Sequence, residues 1–386
     1  MQNISEEDTG DEAIWSVAAI PIHRQTPLWI VWSPALRRTL VSAQHPREGG
    51  TSSQSADKSA HSKFLLITRH ALHSPLKPRP LMSKSRLQID LEYLTARFLL
   101  FAFGLLPLRA ALFLGSKLGR GFYCFSGRLR RTGNRNLELA FPEMRQSQRR
   151  ILLHGCFESL GRLLGVFSHF ATANPGTLRQ MIDCEGLEHI EAARQSGRGV
   201  ILFTGHVGAW ELSSFALSLF GCPLSFLVRR IDNPKIEKLI EGRRTRLGNR
   251  TIDKRSAARE MLQILQTGGT LGILVDLNTL DREGTFVDFF DVAASTTFVL
   301  AKLALRTEAA VLPVFAPWDQ DRRRFLLKVD QPLSFERTGN DAEDARRLTQ
   351  LFTNVVEKYV RRYPDQWLWI HRRWKTRPPG EPEIYD

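Results

Sequence analysis

Cysteine is scarce in this sequence and is not arranged for a metal site or a disulfide framework. The 386 residues include four cysteines, at positions 124, 156, 184 and 222. They form no C-x-x-C pair, and no histidine-rich neighbour stands at zinc-ligand spacing. We therefore expect free thiols in a reducing compartment and no bound metal.

Long apolar runs are also missing, so no uninterrupted membrane-spanning helix of about 18 residues is predicted. The nearest approach runs from Phe98 to Leu114 and contains Pro107 and Arg109. Such a segment would lie at the membrane interface, enter the bilayer partway, or cross it with Arg109 reaching back to the surface. A buried helix pair broken at Pro107 is the alternative interpretation.

Acidic residues are outnumbered by basic ones. Lys and Arg number 54 against 40 Asp and Glu, for a formal net charge of +14. A basic protein attracts polyanions, which include anionic lipid, nucleic acid and acidic proteins. Arginines flank the apolar segment, as beside the anionic face of a membrane: Arg120, Arg128, Arg130, Arg131 and Arg135. Nucleic-acid binding is disfavoured, because neither a reading motif nor interleaved aromatic residues accompany the charge.

The chain divides by pattern into three parts. Residues 1–84 are mostly polar with little periodicity, which is typical of a disordered extension; alternatively, translation starts at Met82 and the upstream stretch is not native. Residues 85–170 carry apolar residues at helical spacing and are predicted to form a helical, membrane-associating segment. From 171 to 386, strand-like runs alternate with helical stretches, which predicts an α/β domain with a mostly parallel sheet flanked by helices.

One short motif in the α/β part combines residues suited to acid–base chemistry. Thr204 to Glu211 reads TGHVGAWE and stands between a strand-like run and a helical stretch, where open α/β sheets place their active sites. Gly205 and Gly208 allow a sharp turn. His206 is suited to act as a general base on a hydroxyl, and Glu211 is expected to orient its imidazole. The motif predicts an acyl transfer in which the substrate hydroxyl takes the place of an enzyme serine.

Several segments around this motif resemble the bacterial lipid A late acyltransferases, the lauroyl and myristoyl transferases of lipopolysaccharide synthesis. The resemblance extends over about residues 86 to 380. The segments that carry it are TGHVGAWEL at 204–212, NLELAFPEM at 136–144, RRIDNP at 229–234, RTRLG at 244–248, VDLN at 275–278, GTFVDFF at 284–290 and WIHRRWKTRP at 369–378. Actinobacterial phosphatidylinositol mannoside acyltransferases share the first segment.

The resemblance implies an enzyme of the cytoplasmic face of the bacterial inner membrane. It would move a fatty acyl chain from acyl carrier protein, or from acyl-CoA, onto a hydroxyl of a lipid A precursor, with no cofactor. His206 would be the base and Glu211 its partner. The residues expected to bind substrate or build the site are Arg229, Asn233, Arg244, Asp276, Arg372 and Arg373.

The individual roles of these residues remain open at this point. Arg229 would bind a phosphate of the glycolipid or of the donor, or form an ordinary surface ion pair. Asp276 would orient Arg229 or a substrate hydroxyl, or cap a turn. The arginines at 372 and 373 belong to a basic cluster that would meet lipid phosphates or remain in solvent.

Departures from the family pattern and other activities define the alternatives. Arg230 stands where proline is usual. Leu277 and Asp291 stand where glutamine and glycine are usual, which leaves details of the acceptor or acyl-chain choice near that loop open. A glycerolipid or phosphatidylinositol mannoside acyltransferase is the alternative enzyme. A basic membrane- or nucleic-acid-binding protein is the non-enzymatic alternative.

Overall fold

A computed structural model describes residues 85–253, 257–280 and 283–385. Within these ranges, the residues from Asp90 onward belong to one compact unit, so the helical and the α/β parts share it. A second unit, Ile20–Ile89, lies almost entirely outside the described residues. The two predictions for residues 1–84, a disordered extension or a misassigned start before Met82, also lie outside them.

The helical part consists of four helices. They are α1 (Arg86–Gly104), α2 (Leu108–Phe125), α3 (Gly127–Ala140) and α4 (Gln146–Ser168). Pro107 is the residue before α2. At the start of a helix the fixed φ and the missing N–H of proline are tolerated, but inside a helix they would interrupt it, so the chain cannot continue as one helix through this position. The apolar stretch from Phe98 to Leu114 therefore forms parts of two helices rather than one.

Helices α2 and α4 approach each other closely through glycines. A Cβ added to Gly115 would lie 2.3 Å from the carbonyl oxygen of Gly161, and one added to Gly161 would lie 1.9 Å from that of Gly115. The two backbones are therefore in direct contact, a packing mode that small residues permit. Among the described helices, α4 alone is long and apolar enough to cross a membrane by length and composition, but 61% of its most apolar stretch is buried inside the protein.

One face of α1 remains apolar and open to solvent. Its side chains recur at intervals of three and four residues, and each has 53–69% of its surface exposed: Leu91, Leu94, Phe98, Phe101 and, directly after the end of the helix, Leu105. We call this set the apolar face of α1. The buried-helix interpretation is therefore wrong for this side of α1, although the break at Pro107 that it required is present.

The structure describes ten strands in the α/β part. They are β1 (Ile182–Glu185), β2 (Val200–Thr204), β3 (Ser225–Val228), β4 (Arg250–Asp253), β5 (Thr270–Leu274), β6 (Gly284–Phe289), β7 (Val292–Thr297), β8 (Ala310–Phe315), β9 (Trp318–Asp319) and β10 (Arg324–Val329). The remaining helices are α5 (Pro175–Arg179), α6 (Leu187–Gln195), α7 (Trp210–Leu219), α8 (Pro234–Arg244), α9 (Ala257–Gln266), α10 (Val299–Thr307) and α11 (Asp341–Arg362).

The sheet confirms the prediction of an α/β fold with mostly parallel strands and also contains antiparallel pairs. Its order is β1-β10-β8-β2-β5-β3-β4, and β9 pairs with β10. The neighbours from β8 to β4 are parallel, as are β1 and β10. However, β10 is antiparallel to both β8 and β9, and β6 and β7 form a separate antiparallel hairpin. The carboxyl ends of β8, β2, β5 and β3 meet at one edge, so the loops after these strands lie side by side.

A C-terminal segment crosses this edge after α11 ends at Arg362. We call residues 366–376 the C-terminal strap. Trp367 forms an antiparallel bridge with Val207 in the loop after β2. The indole rings of Trp367, Trp369 and Trp374 are almost completely buried. The strap is therefore part of the core beneath the carboxyl edge of the sheet.

Candidate active site

His206 lies in the loop between β2 and α7, as the motif predicts. Gly208 has φ +64°, and a Cβ there would lie 2.5 Å from the carbonyl oxygen of Ala316. A Cβ at Gly205 would lie 2.9 Å from a carboxylate oxygen of Asp276. The two glycines thus permit the turn and the close approach of an acidic side chain to the histidine.

Asp276, and not Glu211, is the carboxylate on the imidazole of His206. Nδ1 of His206 lies 2.7 Å from Oδ1 of Asp276, and the backbone N–H of His206 donates to Oδ2 at 2.6 Å. The indole N–H of Trp367 donates to the same Oδ2 at 2.8 Å. Asp276 follows β5, the parallel neighbour of β2, so the sheet itself brings the two residues together. Within the described residues no protein group forms a hydrogen bond with Nε2 of His206.

The surroundings keep Asp276 ionised. Burial by itself would raise the pKa of this carboxyl. The attraction of a protonated His206 and the hydrogen bonds from His206 and Trp367 outweigh burial and lower the pKa of Asp276 to about 2. An ionised carboxylate on Nδ1 holds the proton there, so Nε2 presents its lone pair. The pair has the geometry of a general base and its orienting group.

The predicted contact between Glu211 and the imidazole is replaced by an ion pair. Glu211 lies in the first turn of α7, and Arg244 lies in the last turn of α8. Nε of Arg244 donates to Oε2 of Glu211 at 2.9 Å, and a second guanidinium N–H donates to Oε1. The Glu211 side chain is 9% exposed and that of Arg244 is 12% exposed. The pKa of Arg244 is raised, because its interaction with Glu211 outweighs burial, which opposes it.

Two predicted substrate-binding residues have structural roles. The side-chain oxygen of Asn233 caps α8 by accepting from the N–H groups of Lys235 and Ile236, and its amide donates to Glu92 of α1. Only 1% of the Asn233 surface is exposed. Arg244 is committed to Glu211. The structure therefore gives both residues internal partners rather than a surface open to a ligand.

Arg229 fits the prediction of a ligand-binding residue better than Asn233 and Arg244 do. It directly follows β3, whose carboxyl end lies at the same edge as those of β2 and β5, and its side chain is exposed. No ion pair of Arg229 is found within the described residues. Asp276 does not orient Arg229, because its carboxylate oxygens are occupied by His206 and Trp367.

The arginines of the C-terminal strap differ from each other. Arg373 is 1% exposed, donates to the carbonyl oxygen of Ser295 at 2.7 Å and lies over the ring of Phe289. It braces the β6–β7 hairpin from inside and is not available to lipid phosphates. Arg372 is half-buried and lies over the ring of Tyr385.

Two contributors to the site were missed by sequence reasoning. Trp367 binds Asp276 directly, and His371 accepts a hydrogen bond from the backbone of Asn278, two residues after Asp276. The motif around 369–378 indicated the importance of this segment but not its position. Within the described residues, no cluster of three or more His, Cys, Asp or Glu side chains is suited to hold a metal ion.

Comparison with known proteins identifies a family. Residues 82–376 match the profile described as bacterial lipid A biosynthesis acyltransferase. The chain is 29% identical over 307 residues to the lipid A biosynthesis palmitoleoyltransferase of Escherichia coli (strain K12), covering 76% of this chain and 97% of that protein. It is 27% identical over 274 residues to the myristoyltransferase of the same organism, covering 70% and 82%, respectively. The lauroyltransferase of that organism is 29% identical over 273 residues, covering 70% of this chain and 87% of the relative.

Proposed function

Because the chain belongs to the bacterial lipid A biosynthesis acyltransferase family, we propose that it transfers a fatty acyl chain from a thioester donor to a hydroxyl of a lipid A precursor. The observation that carries the proposed mechanism is the hydrogen bond between His206 and the buried, ionised Asp276. The names of the relatives specify three different acyl chains, so chain length is left open.

In the proposed reaction, the glycolipid hydroxyl donates its proton to Nε2 of His206 as its oxygen attacks the thioester carbonyl. The resulting imidazolium is stabilised by Asp276, which stays ionised. Collapse of the tetrahedral intermediate breaks the C–S bond and forms the ester. The proton then passes from Nε2 to the departing thiolate of the carrier, which restores the neutral imidazole.

The loop that carries His206 is held rigidly for this task. The N–H groups of Val207, Gly208 and Ala209 donate to the carbonyl oxygens of Gly205, Gln366 and Ala316 at 2.8, 3.0 and 2.9 Å. These groups are therefore already used inside the protein, and we assign the loop a positioning role rather than a role in binding the oxyanion. A fixed imidazole reduces the reorganisation needed during the reaction.

The ion pair of Glu211 and Arg244 supports the site from one side. Glu211 lies only five residues after His206, so the pair fastens the start of α7 to the end of α8 close to the base. Removing one partner of a buried ion pair typically destabilises a protein by about 3–5 kcal/mol. We propose that Glu211 is needed for the shape of the site and Asp276 for the basicity of His206.

The proposed glycolipid contact is Arg229. Its exposed guanidinium at the edge that carries His206 suits a phosphate of the acyl acceptor. The family resemblance leaves acyl carrier protein and acyl-CoA open as donors. The net charge of +14 suits an acidic carrier protein as well as an anionic membrane.

We also propose that the apolar face of α1 attaches the protein to the cytoplasmic face of the inner membrane. Five large apolar side chains on one side of a helix suit insertion into the boundary between headgroups and acyl chains. Two hydrogen bonds fasten α1 to the start of α8, which follows Arg229 after a short loop: Lys235 donates to Asp90 at 2.5 Å, and the cap residue Asn233 donates to Glu92 at 3.1 Å. A lipid substrate would thus meet Arg229 beside the membrane-bound helix.

The reaction is tested with membranes that carry the wild type or His206→Ala. Each is given a lipid A precursor and a labelled acyl group, on acyl carrier protein in one series and on CoA in the other. Transfer of the label by the wild type alone supports the reaction and the base. Equal transfer by both proteins contradicts the role of His206. An inactive wild type with both donors points to a mannoside or glycerol-phosphate acceptor.

Membrane attachment is tested with vesicles that contain anionic lipid. The variant Phe98→Glu/Phe101→Glu places two charges in the apolar face of α1, and we expect it to stay in the supernatant when the wild type sediments with the vesicles. The matched control is Gln263→Glu/Gln266→Glu on the exposed side of α9, which adds the same charge elsewhere. Equal release of both variants would attribute the effect to charge alone.

A further inference from the structure

The C-terminal strap contacts both loops that carry the histidine and the aspartate. On the His206 side, the N–H of Gly208 donates to Gln366 O at 3.0 Å and the N–H of Leu368 donates to His206 O at 3.2 Å. On the Asp276 side, the indole of Trp367 donates to the carboxylate at 2.8 Å. The strap therefore joins two loops that follow different strands of the sheet.

Farther along the strap, His371 and Thr376 fasten the continuation of the Asp276 loop. The backbone N–H of Asn278 donates to Nε2 of His371 at 3.0 Å. The Asn278 side chain donates to Oγ1 of Thr376 at 3.0 Å and accepts from the N–H of Thr376 at 2.9 Å. Three hydrogen bonds thus hold a residue that lies only two positions from the orienting carboxylate.

The imidazole of His371 is kept in the form that accepts this hydrogen bond. Burial lowers the pKa of His371 to about 3, and the positive charge of Arg373 acts in the same direction. A protonated ring would turn Nε2 into a donor facing the N–H of Asn278. At neutral pH the ring therefore carries its proton on Nδ1 and leaves Nε2 as the hydrogen-bond acceptor.

The strap itself is anchored from the helical part of the protein. The side-chain amide of Asn136 in α3 donates to the carbonyl oxygens of Trp369 and His371 at 2.5 and 2.6 Å. The side chain of Asn136 is completely buried. His371 is consequently fixed through its backbone by α3, and its ring fixes Asn278.

We propose that His371 is a positioning residue for acyl transfer, acting through the backbone of Asn278 to hold the carboxylate of Asp276 on His206. This inference rests on the proposed function. His371 touches no reacting atom in this scheme. A shift of the Asp276 loop would turn or displace the imidazole of His206, and errors of about 1 Å in such a geometry can lower a rate by about 100-fold.

The test compares His371→Phe with His371→Gln in the full-length, membrane-bound enzyme. Phenylalanine removes the hydrogen-bond acceptor, whereas the side-chain oxygen of glutamine reaches the position of Nε2 and accepts. We expect His371→Phe to lower kcat by about 10- to 100-fold with KM unchanged for donor and glycolipid. His371→Gln should recover most of that loss. His154→Phe is the matched control, because His154 is also half-buried and its ring packs at a tilt against that of Tyr123 of α2.

Rates are referred to the folded fraction, measured by thermal unfolding of each variant. If His371→Phe folds and retains the wild-type kcat, or changes only KM, the positioning role is overturned. If it does not fold, His371→Leu takes its place, since it removes the same hydrogen-bond acceptor with a smaller side chain; an unchanged kcat overturns the proposal. An inactive wild type overturns the proposed function and this inference with it, whereas equal activity of wild type and variant overturns the inference alone.

Discussion

The sharpest prediction separates the two acidic residues near His206. Asp276→Asn removes the charge beside the imidazole while keeping the size of the side chain. Glu211→Gln does the same to the partner of Arg244. If Asp276 orients the base, the first change should abolish catalysis in a folded protein. The second should act mainly on stability.

Counting hydrogen-bond donors gives the size of the effect at Asp276. Three N–H groups converge on its two oxygens: the backbone and Nδ1 of His206 and the indole of Trp367. Asparagine offers one oxygen, so its amide N–H₂ must face either Nδ1 or the other two donors. If the N–H₂ group faces Nδ1 of His206, Nδ1 must accept a hydrogen bond, and the imidazole proton then resides on Nε2. Nε2 no longer has a free lone pair and cannot act as the base. Such a change beside a catalytic histidine lowers kcat by about 10⁴-fold.

Asp276 also contributes to stability in a defined pH range. Its pKa falls from 3.8 to about 2 in the folded protein, a shift that corresponds to about 2 kcal/mol. Because the folded pKa is the lower one, this contribution is complete above pH 4 or so and is lost as the pH falls toward 2. At neutral pH, Asp276→Asn should therefore lower the unfolding free energy by an amount of this order, while kcat changes far more.

Glu211→Gln should affect stability more than catalysis, the reverse of Asp276→Asn. The amide offers Arg244 one oxygen instead of two and no charge, and the guanidinium is 12% exposed. We expect a loss of unfolding free energy of about 3 kcal/mol, the lower end of the range for a broken buried ion pair, because the amide oxygen still accepts from Arg244. The loss of kcat should be smaller than that of Asp276→Asn. The double variant Glu211→Gln/Arg244→Gln should be less destabilised than the sum of the single changes, because the charge left behind is removed.

The assay combines acyl transfer from labelled donor with thermal unfolding of the same preparations. A folded Asp276→Asn enzyme with near wild-type kcat would refute the assignment of the orienting carboxylate. So would a Glu211→Gln enzyme that is as inactive as His206→Ala and yet fully stable. That second result would return Glu211 to the role expected from the motif.

Three further predictions concern packing, a turn and the glycolipid contact. Gly115→Ala should destabilise the protein by about 2–3 kcal/mol, because the added methyl group would collide with α4. The control Gly121→Ala, with open space around it, should stabilise α2 by about 0.5–1 kcal/mol. Thermal unfolding measures both effects. Asp291→Gly should raise the unfolding free energy by up to about 1 kcal/mol, because Asp291 has φ +59° in the two-residue turn between β6 and β7; an unchanged or lower midpoint would contradict this. Arg229→Ala should raise KM for the glycolipid roughly tenfold, whereas Arg230→Ala, which breaks a surface pair with Asp253, should leave it unchanged in the same kinetic assay.

Much of the fold follows from local sequence patterns, and the antiparallel pairing of β8 with β10 could also have been predicted from the sequence. The alternation of strands and helices predicts parallel neighbours such as β2 and β5, because a helix in the connection allows a crossover. The link between β8 and β10 contains no helix and only the short strand β9. It is too short for a crossover of a dozen or more residues, so antiparallel pairing follows. The pairing of β1 with β10 depends on contacts far apart in sequence, which periodicity does not encode.

The site was predicted in part for a similar reason. The turn at His206 and its two glycines have a local signature, and the structure has them where the motif indicates. The partner of His206 lies 70 residues away in sequence. A general rule favours Asp276 as this partner: the loops that follow adjacent parallel strands lie together, and Asp276 ends a strand-like run. The positions of Trp367 and His371 depend on how the C-terminal strap crosses the sheet, for which the sequence offers no local signal.

The different roles of the two carboxylates follow from what surrounds each of them. Glu211 already faces a guanidinium, and a carboxylate neutralised in this way gains little when a second cation forms nearby. The hydrogen-bond donors that reach Asp276 are neutral N–H groups as long as His206 is unprotonated. Its negative charge therefore interacts most favourably when the imidazole becomes cationic, as it does when the hydroxyl attacks. This difference between resting and reacting states is what catalysis requires, and it favours Asp276 over the nearer acidic residue in sequence.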